Sequence, residues 1–328
     1  MKKQQVIIYI VSGILSIAFL VYLLLNLDWE TLGAAFADVH WGWLALAFLA
    51  YSVNIFLRAL RFKNLLYSRS VRWIELIPVS ALHNMFMYLL PAKTGDVSYI
   101  FLAKGRLNIP LSEGTATLFA SRFYDSGIIA LILASILPFS RNGMPEWIYQ
   151  SAVIFCLLVL LGSLGVFLFI RYSKPVLPKG TSKNSFIIRI QQAWEKFIAG
   201  LREIQTNGAN LRVALITLGI WFCLYSDYYF IAQSLGTPIT LFHISIISIV
   251  MVPLTLLPLQ GFANIGTHEI GWASVLVAFG YPYDTALAIA VGSHFILLLS
   301  VLLMGGFSFL LTQSSLLHSN QEEVNDRP

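Results

Sequence analysis

Ionisable residues interrupt long apolar stretches of this chain, and their spacing suggests chemistry on a charged headgroup or on a proton. Arg122 and Asp125 lie three apart, so on a helix they share a face. Either they neutralise one another and pack a helix bundle, or Asp125 holds Arg122 where it meets an anionic headgroup. Lys93 and Asp96 flank the break after Pro91, and Glu269 follows Gly266. A carboxylate in such a place caps a half-helix N-terminus, serves as a proton or cation site, or partners a base such as Arg122 or His294. Lys93 beside the first break would attract phosphate. His268 and His294 titrate near neutral pH, although a lone membrane histidine is more often a satisfied hydrogen-bonding group. His83 and Asn84 are polar residues on the run before Pro91 and are candidates to face a cavity. Cys156 and Cys223 sit inside apolar runs without metal spacing, which suits helix packing rather than a disulfide. No metal site and no cofactor are expected.

The elements that carry these residues occur twice. One stretch has Leu89, Leu90 and Pro91, then Gly95 and Asp96, Gly105, Pro110, and Ser121 with Arg122. The other has Leu256, Leu257 and Pro258, then Gly266 and Glu269, Gly280, Pro282, and Ser293 with His294. Pro110 stands as far from Arg122 as Pro282 does from His294, and Ala116 falls on Ala288. With about five extra residues allowed in the second copy, Asp96 falls within a residue of Glu269. Each copy reads as an apolar hairpin with a charged tip, followed by a long apolar helix with a basic residue inside. Duplicated, interrupted helices of this kind are the pattern of proteins that move something polar through a bilayer.

Charge placement orients the segments. Lys2 and Lys3 put the N-terminus in the cytoplasm. The apolar stretch 6–26 has no convincing cleavage site after it and reads as a retained first helix. It leads to a loop with Asp28, Glu30 and Asp38 outside, and 41–60 returns to a cytoplasmic loop marked by Arg58, Arg61, Lys63, Arg69 and Arg72. Segment 74–106 then starts and ends inside, broken at 91–95, and 113–137 and 148–170 cross out and back. A second basic region contains an amphipathic helix at 184–205, with Ile187, Ile190, Trp194, Phe197, Ile198 and Leu201 on one side, read as lying on the inner surface. Segment 211–235 exits, 242–279 starts and ends outside with a break at 258–266, and 284–311 returns. The economical reading is two re-entrant hairpins of opposite orientation; the alternative, in which every hairpin arm crosses, raises the span count from about six to about ten.

The expected fold is therefore an all-α polytopic membrane protein. It has about six spanning helices plus two oppositely oriented re-entrant hairpins that form an inverted repeat. Residues 1–328 read as a single transmembrane domain, with the first repeat at 74–137, the second at 242–311 and a polar cytoplasmic tail at 313–328. The chain is 57% hydrophobic and 11% charged, against about a quarter charged in soluble domains. No polar stretch is long enough to bury a core of its own. The net charge of +5 comes from basic residues beside membrane segments, so no nucleic-acid partner is expected.

Pro91, Lys93, Gly95 and Asp96, then Ser121, Arg122 and Asp125, and later Pro258, Gly266 and Glu269 resemble the lysylphosphatidylglycerol synthase/flippase transmembrane-domain family. Its members typically read Pro-x-Arg-x-Gly-Glu-x-x-Arg, then Glu-Arg-x-x-Asp, then Gly-x-x-Glu, and the resemblance covers nearly the whole chain. It implies a polytopic inner-membrane protein. The best-understood members flip an aminoacylated phospholipid made by an attached synthase domain, and others are linked to polyprenyl-phosphate sugar pathways. Here Lys93 stands for the usual Arg, Asp96 for Glu, Tyr99 for the following Arg and Ser121 for the Glu before Arg122. The aminoacyl-transferase domain is absent from the sequence, so lysyl transfer is not implied.

The function expected is translocation of a polar-headed phospholipid or polyprenyl-phosphate-linked lipid across the cytoplasmic membrane, by a protein that is not an enzyme. Lys93 and Arg122 would bind the headgroup, and Asp96 and Glu269 would gate or couple its passage, with Asp125 and His294 in the same set and His83, Asn84 and His268 as secondary candidates. The partners are a membrane lipid and, in the alternative reading, a lipid- or glycan-modifying enzyme for which the chain is an accessory subunit. A membrane glycosyltransferase using Asp28 and Glu30 is weaker, because large outer loops are missing. No His-Glu-x-x-His follows His268, which argues against a zinc protease.

Overall fold

The computed structural model describes residues 3–67, 71–91, 94–141, 145–172, 185–206, 208, 210–256 and 261–325. Every regular element among them is helical: α1 Lys3–Asn26, α2 Trp29–Ala37, α3 Trp41–Leu65, α4 Leu76–Leu89, α5 Thr94–Leu107, α6 Leu111–Ser140, α7 Glu146–Tyr172, α8 Ser185–Thr206, α9 Asn210–Ser234, α10 Leu241–Leu256, α11 Thr267–Ala278 and α12 Tyr283–Asn325. Among the described residues, α3, α6, α7, α9 and α12 contain stretches long and apolar enough to cross a bilayer. The helix α1 has 24 residues, with a shorter apolar segment at Ser16–Asn26. This is an all-α polytopic membrane protein.

Three breaks between helices follow one local rule. Asn108, Gly236 and Gly280 adopt left-handed backbone (φ 54°, 66° and 90°) just after α5, α9 and α11, and each is followed two residues later by Pro110, Pro238 or Pro282. A left-handed residue lets the last carbonyls find donors, and the proline stops the helix from resuming. Tyr281 N–H accordingly donates to Leu276 O, and Ile109 N–H to Ala103 O. The sequence comparison set Gly105 against Gly280. The structure sets Asn108 there instead, and Gly105 lies inside α5.

Two further polar segments are helical. The acidic outer loop holds a helix, α2, whose N-cap Asp28 accepts from the Glu30 and Thr31 amides at 3.0 and 3.2 Å. The polar segment after 311 continues α12 as helix to Asn325.

Contacts gather the chain into two compact units. One comprises Met1–Ile55, Ile77–Ser98 and Leu224–Pro328, the other Phe56–Leu76 and Tyr99–Cys223, and α3, α5 and α9 contribute residues to both. The units thus do not follow the two sequence copies.

In the second unit α6 packs on α7 and α8. Ala116 and Ala120 of α6 meet Leu201 and Ile204 of α8 together with Leu65 and Val213. Gly200 permits this approach, since a Cβ there would stand 3.1 Å from the Ala116 Cβ. The apolar side of the C-terminal half of α8 is therefore covered by protein. The helix read from sequence as lying on the inner surface thus packs part of its apolar side on α6.

In the first unit α12 packs on α11 and α2, over a core that includes Tyr51, Ile55, Ala81, Ile231, Leu235, Leu297 and Val301. Gly305 of α12 makes room for Met85 of α4, where a Cβ would come within 2.6 Å of that side chain. Both broken segments fold back on themselves. His83 meets Ser98 at 3.1 Å, and a Cβ on Gly95 would collide with the Phe86 carbonyl and Met87 Cα, so α5 starts antiparallel to α4. The His243 ring of α10 lies 4.7 Å from the ring of Phe279 beyond α11, which makes α10 and α11 antiparallel as well. With 14, 14, 16 and 12 residues, none of these four helices reaches the about 20 residues of a full span.

Candidate functional site

Each unit buries one ionic cluster among apolar helices. In the second unit Asp125 of α6 is buried, and its partner is Arg61 of α3. Arg61 Nη1 donates to Asp125 Oδ1 at 2.5 Å and Nη2 to Oδ2 at 3.3 Å, a two-pronged pairing that a guanidinium is shaped for. Trp221 Nε1 of α9 donates to the same Oδ1 at 3.1 Å. Arg122, one turn before Asp125, stands further off, with Nη1 at 3.6 Å from Oδ2 and its side chain 37% exposed. Beside the pair, the Phe62 and Tyr99 rings stack at 4.0 Å.

Charge placement assigns Arg61 to the cytoplasmic loop, but it lies inside α3 and is 1% exposed. The signal available was helical continuation: α3 runs five residues beyond the expected end at 60. Tyr99 is fully buried against Phe62.

In the first unit the break before α11 carries the second cluster. Ala263, Asn264 and Gly266 have left-handed backbone there (φ 53°, 56° and 90°), an arrangement costly for the two non-glycine residues and kept only where the surroundings impose it. Ser16 of α1 accepts the Phe262 amide at 2.8 Å, and a Cβ on Gly261 would strike the same hydroxyl. Glu269, in the first turn of α11, accepts the Gly266 amide on Oε2 at 2.8 Å. Its Oε1 lies 2.6 Å from Nδ1 of His294 on α12. The His268 ring lies parallel to His294 at 4.2 Å and to Trp272 at 5.4 Å. All three ionisable residues are buried, and Nε2 of His268 and of His294 have no hydrogen-bond partner. Tyr228 of α9 stands edge-on to Trp272 at 5.2 Å, and its hydroxyl is 3.4 Å from that of Tyr88 on α4.

The remaining predicted residues are placed as follows. Asp96 lies in the first turn of α5, half-buried, after Thr94 has donated its hydroxyl to Pro91 O at 2.7 Å. Lys93 lies outside the described residues. His83 and Asn84 are buried. His83 bonds Ser98, and Asn84 donates to the Tyr51 hydroxyl at 2.7 Å. Ser121 and Ser293, matched in the two copies, both bond the carbonyl three residues back, at 2.7 and 3.1 Å. Asp227 of α9 was not singled out, yet it is 1% exposed with neither carboxyl oxygen partnered. Its signal was plain, as the only acid within 210–234. Among the described residues no cluster of His, Cys, Asp and Glu is arranged to hold a metal.

The lysylphosphatidylglycerol synthase TM region, as a family, matches residues 9–305. The chain belongs to that family. Among relatives of this lysylphosphatidylglycerol synthase TM-region protein, the UPF0104 membrane protein MJ1078 of Methanocaldococcus jannaschii is 25% identical over 236 residues, which is 72% of this chain and 97% of that protein. Glycosyltransferase AglD of Haloferax volcanii is 25% identical over 360 residues, which covers 97% of this chain but 57% of AglD. No solved structure gives a match.

Proposed function

We propose that the protein moves a lipid with an anionic or polar head, a phospholipid or a polyprenyl-phosphate-linked lipid, across the cytoplasmic membrane without chemically changing it. Both termini lie on the cytoplasmic side, and α4–α5 and α10–α11 are re-entrant hairpins. The observation that carries the reading is the tip of the second hairpin. It rests on Ser16, near the middle of the 24-residue α1, and is followed at once by the buried Glu269–His294 pair. Irregular backbone at such a depth is tolerated where protein or a water-filled cavity surrounds it. Half-helix termini at mid-membrane are how many transporters hold polar cargo. The family's name, which refers to a synthase of an aminoacylated phospholipid, favours a lipid over a soluble solute.

In this reading Arg122, with Lys93, receives the headgroup, Arg61 neutralises Asp125, and Asp96 and Glu269 govern passage. Purified protein in vesicles should carry fluorescent phosphatidylglycerol between leaflets, and Arg122→Ala and Glu269→Ala should each abolish this while the folded protein persists. Full transport in both variants would overturn the assignment. The likeness to a glycosyltransferase supports a second reading, an accessory subunit of a glycan- or lipid-modifying enzyme. Co-purification with one such enzyme, and no transport by the chain alone, would favour it.

A further inference from the structure

The Glu269 cluster has one feature that lipid binding does not use: it is built to take up and release a single proton. Glu269 is satisfied as a carboxylate. The Gly266 amide and the N-terminal end of α11 favour its negative charge, and His294 completes it at 2.6 Å. With a proton on Nδ1 donated to Glu269, His294 keeps a lone pair on Nε2, an atom that is buried and unpartnered. A proton handed over by hydronium forms one N–H bond at Nε2 as the donor's O–H bond breaks and water leaves. It takes the Glu269–His294 pair from a net charge of −1 to zero, and its departure reverses the change.

The surroundings limit the cluster to one such charge. His268 is stacked on His294 at 4.2 Å, and two imidazolium rings in that contact would repel. The other ionisable groups that face the cluster do not compete for the proton near neutral pH. They are Tyr228 on α9 and the Tyr22 and Tyr283 hydroxyls of α1 and α12, which bond each other at 2.6 Å. His243 of α10 stands at the opposite end of its hairpin, against Phe279. Asp284 is exposed in the first turn of α12, and Asp227 precedes Tyr228 on α9. Beside the cluster, a pocket of about 500 Å³ between α1, α11 and α12, lined by Phe19, Tyr22, Ala273, Ser274 and Tyr283, has Glu269 in its wall.

We propose that His294, held by Glu269 and covered by His268, is a proton-binding site that couples the translocation cycle to proton movement. Its coupling role rests on the translocase reading; the site itself does not. With the proton bound, the contact between α11 and α12 is an ion pair with a charge-assisted hydrogen bond, and it clamps the hairpin. Without the proton the contact is a neutral donor on a carboxylate and is weaker. The hairpin that carries the tip is thereby released or held by one proton.

Two measurements on the full-length protein separate site from role. Trp272 reports the site through His268. Its fluorescence, taken as the difference between the parent and Trp272→Phe, should show one step as the pH is varied. That step should vanish in His294→Gln and Glu269→Gln. No step, or a step that survives His294→Gln, overturns the site. In vesicles, an imposed pH gradient should change the rate of fluorescent phosphatidylglycerol transport by the parent, and His294→Gln should lose this response. Transport by the parent that ignores the gradient overturns coupling and leaves the translocase standing. No transport under any gradient overturns the translocase reading and the coupling role with it, while the Trp272 titration still decides whether His294 binds the proton.

Discussion

The two buried clusters make the same opening move and then diverge. Each places a carboxylate inside apolar helices and neutralises it with a base from another helix, Arg61 for Asp125 and His294 for Glu269. A guanidinium is charged at every accessible pH, whereas an imidazole changes state near neutrality. The first pair is thus a fixed strut that ties α3 to α6, with Trp221 of α9 as a third point. The second is a clasp between α11 and α12, which under the proposal above one proton tightens or loosens. The difference teaches that burial of a charge in a membrane helix has two uses, and that the partner's chemistry, more than the depth, separates them.

The sharpest way to break the comparison is Asp125→Ala. It strands Arg61, which is 1% exposed, and should cost about 3–5 kcal/mol, read as a large drop in thermal unfolding temperature in detergent. The double change Arg61→Met with Asp125→Leu should recover most of it, because the pair is worth less than the penalty of leaving one charge alone. A small loss in the single variant would mean that the strut is not structural.

Glu269→Gln comes next, at about 1.5–3 kcal/mol, the scale of a hydrogen bond to a charged group. The amide still accepts from Gly266 but no longer balances His294. This variant should also remove any pH dependence of unfolding that the His294 contact contributes, whereas Asp125→Asn should leave that dependence in place. If both variants behave alike, the distinction between strut and clasp fails.

Asp227 extends the comparison to a carboxyl with no base at all. Replacement by Asn removes an ionisable group that nothing in the described structure stabilises, so unfolding should shift by less than about 1 kcal/mol, in either direction. A loss as large as that of Asp125→Ala would mean that Asp227 is charged and paired.

The smallest effect belongs to Asp28, a carboxylate in water. Its carboxyl is held below the ordinary 3.8, first by the Thr31 hydroxyl and then by the Thr31 amide. The bonds therefore contribute fully above about pH 3.8 and are lost as pH falls through the lowered value. Amide exchange at Glu30 and Thr31 should quicken over that acid range, with the rest of the fold unaffected, and Asp28→Ala should show the quick exchange at every pH. Unchanged exchange would mean that the cap does not order α2.

Much of the architecture was legible in the sequence, for local reasons. Long apolar runs must be helical in a bilayer because each backbone group has to be satisfied within its own segment, and α6, α7, α9 and the apolar part of α12 lie where hydropathy puts them. The two broken hairpins were legible from Pro91, Gly95, Pro258 and Gly266. Three things were less so. The α2 helix is short and polar at its start, so its acids read as loop. The αL stop at Asn108 was hidden because asparagine does not announce positive φ as glycine does. The packing of α8 on α6 depends on Ala116, Ala120 and Gly200 meeting across distant segments.

The site divides in the same way. Residue order and hydropathy suffice for a bundle of apolar helices with breaks at two places, for the family likeness, and for placing Asp125, Glu269 and His294 within apolar segments. Which base answers each acid is settled by how the helices pack. Spacing along one helix pointed to Arg122 for Asp125. The folded chain assigns Arg61, because a guanidinium arriving from α3 can lay both prongs on the carboxylate while Arg122 reaches it no closer than 3.6 Å. Spacing could offer His294 to Glu269 only as one candidate among several, and the 2.6 Å contact selects it. Neighbours along a helix are set by its pitch, but partners for buried charge are set by which helices pack together.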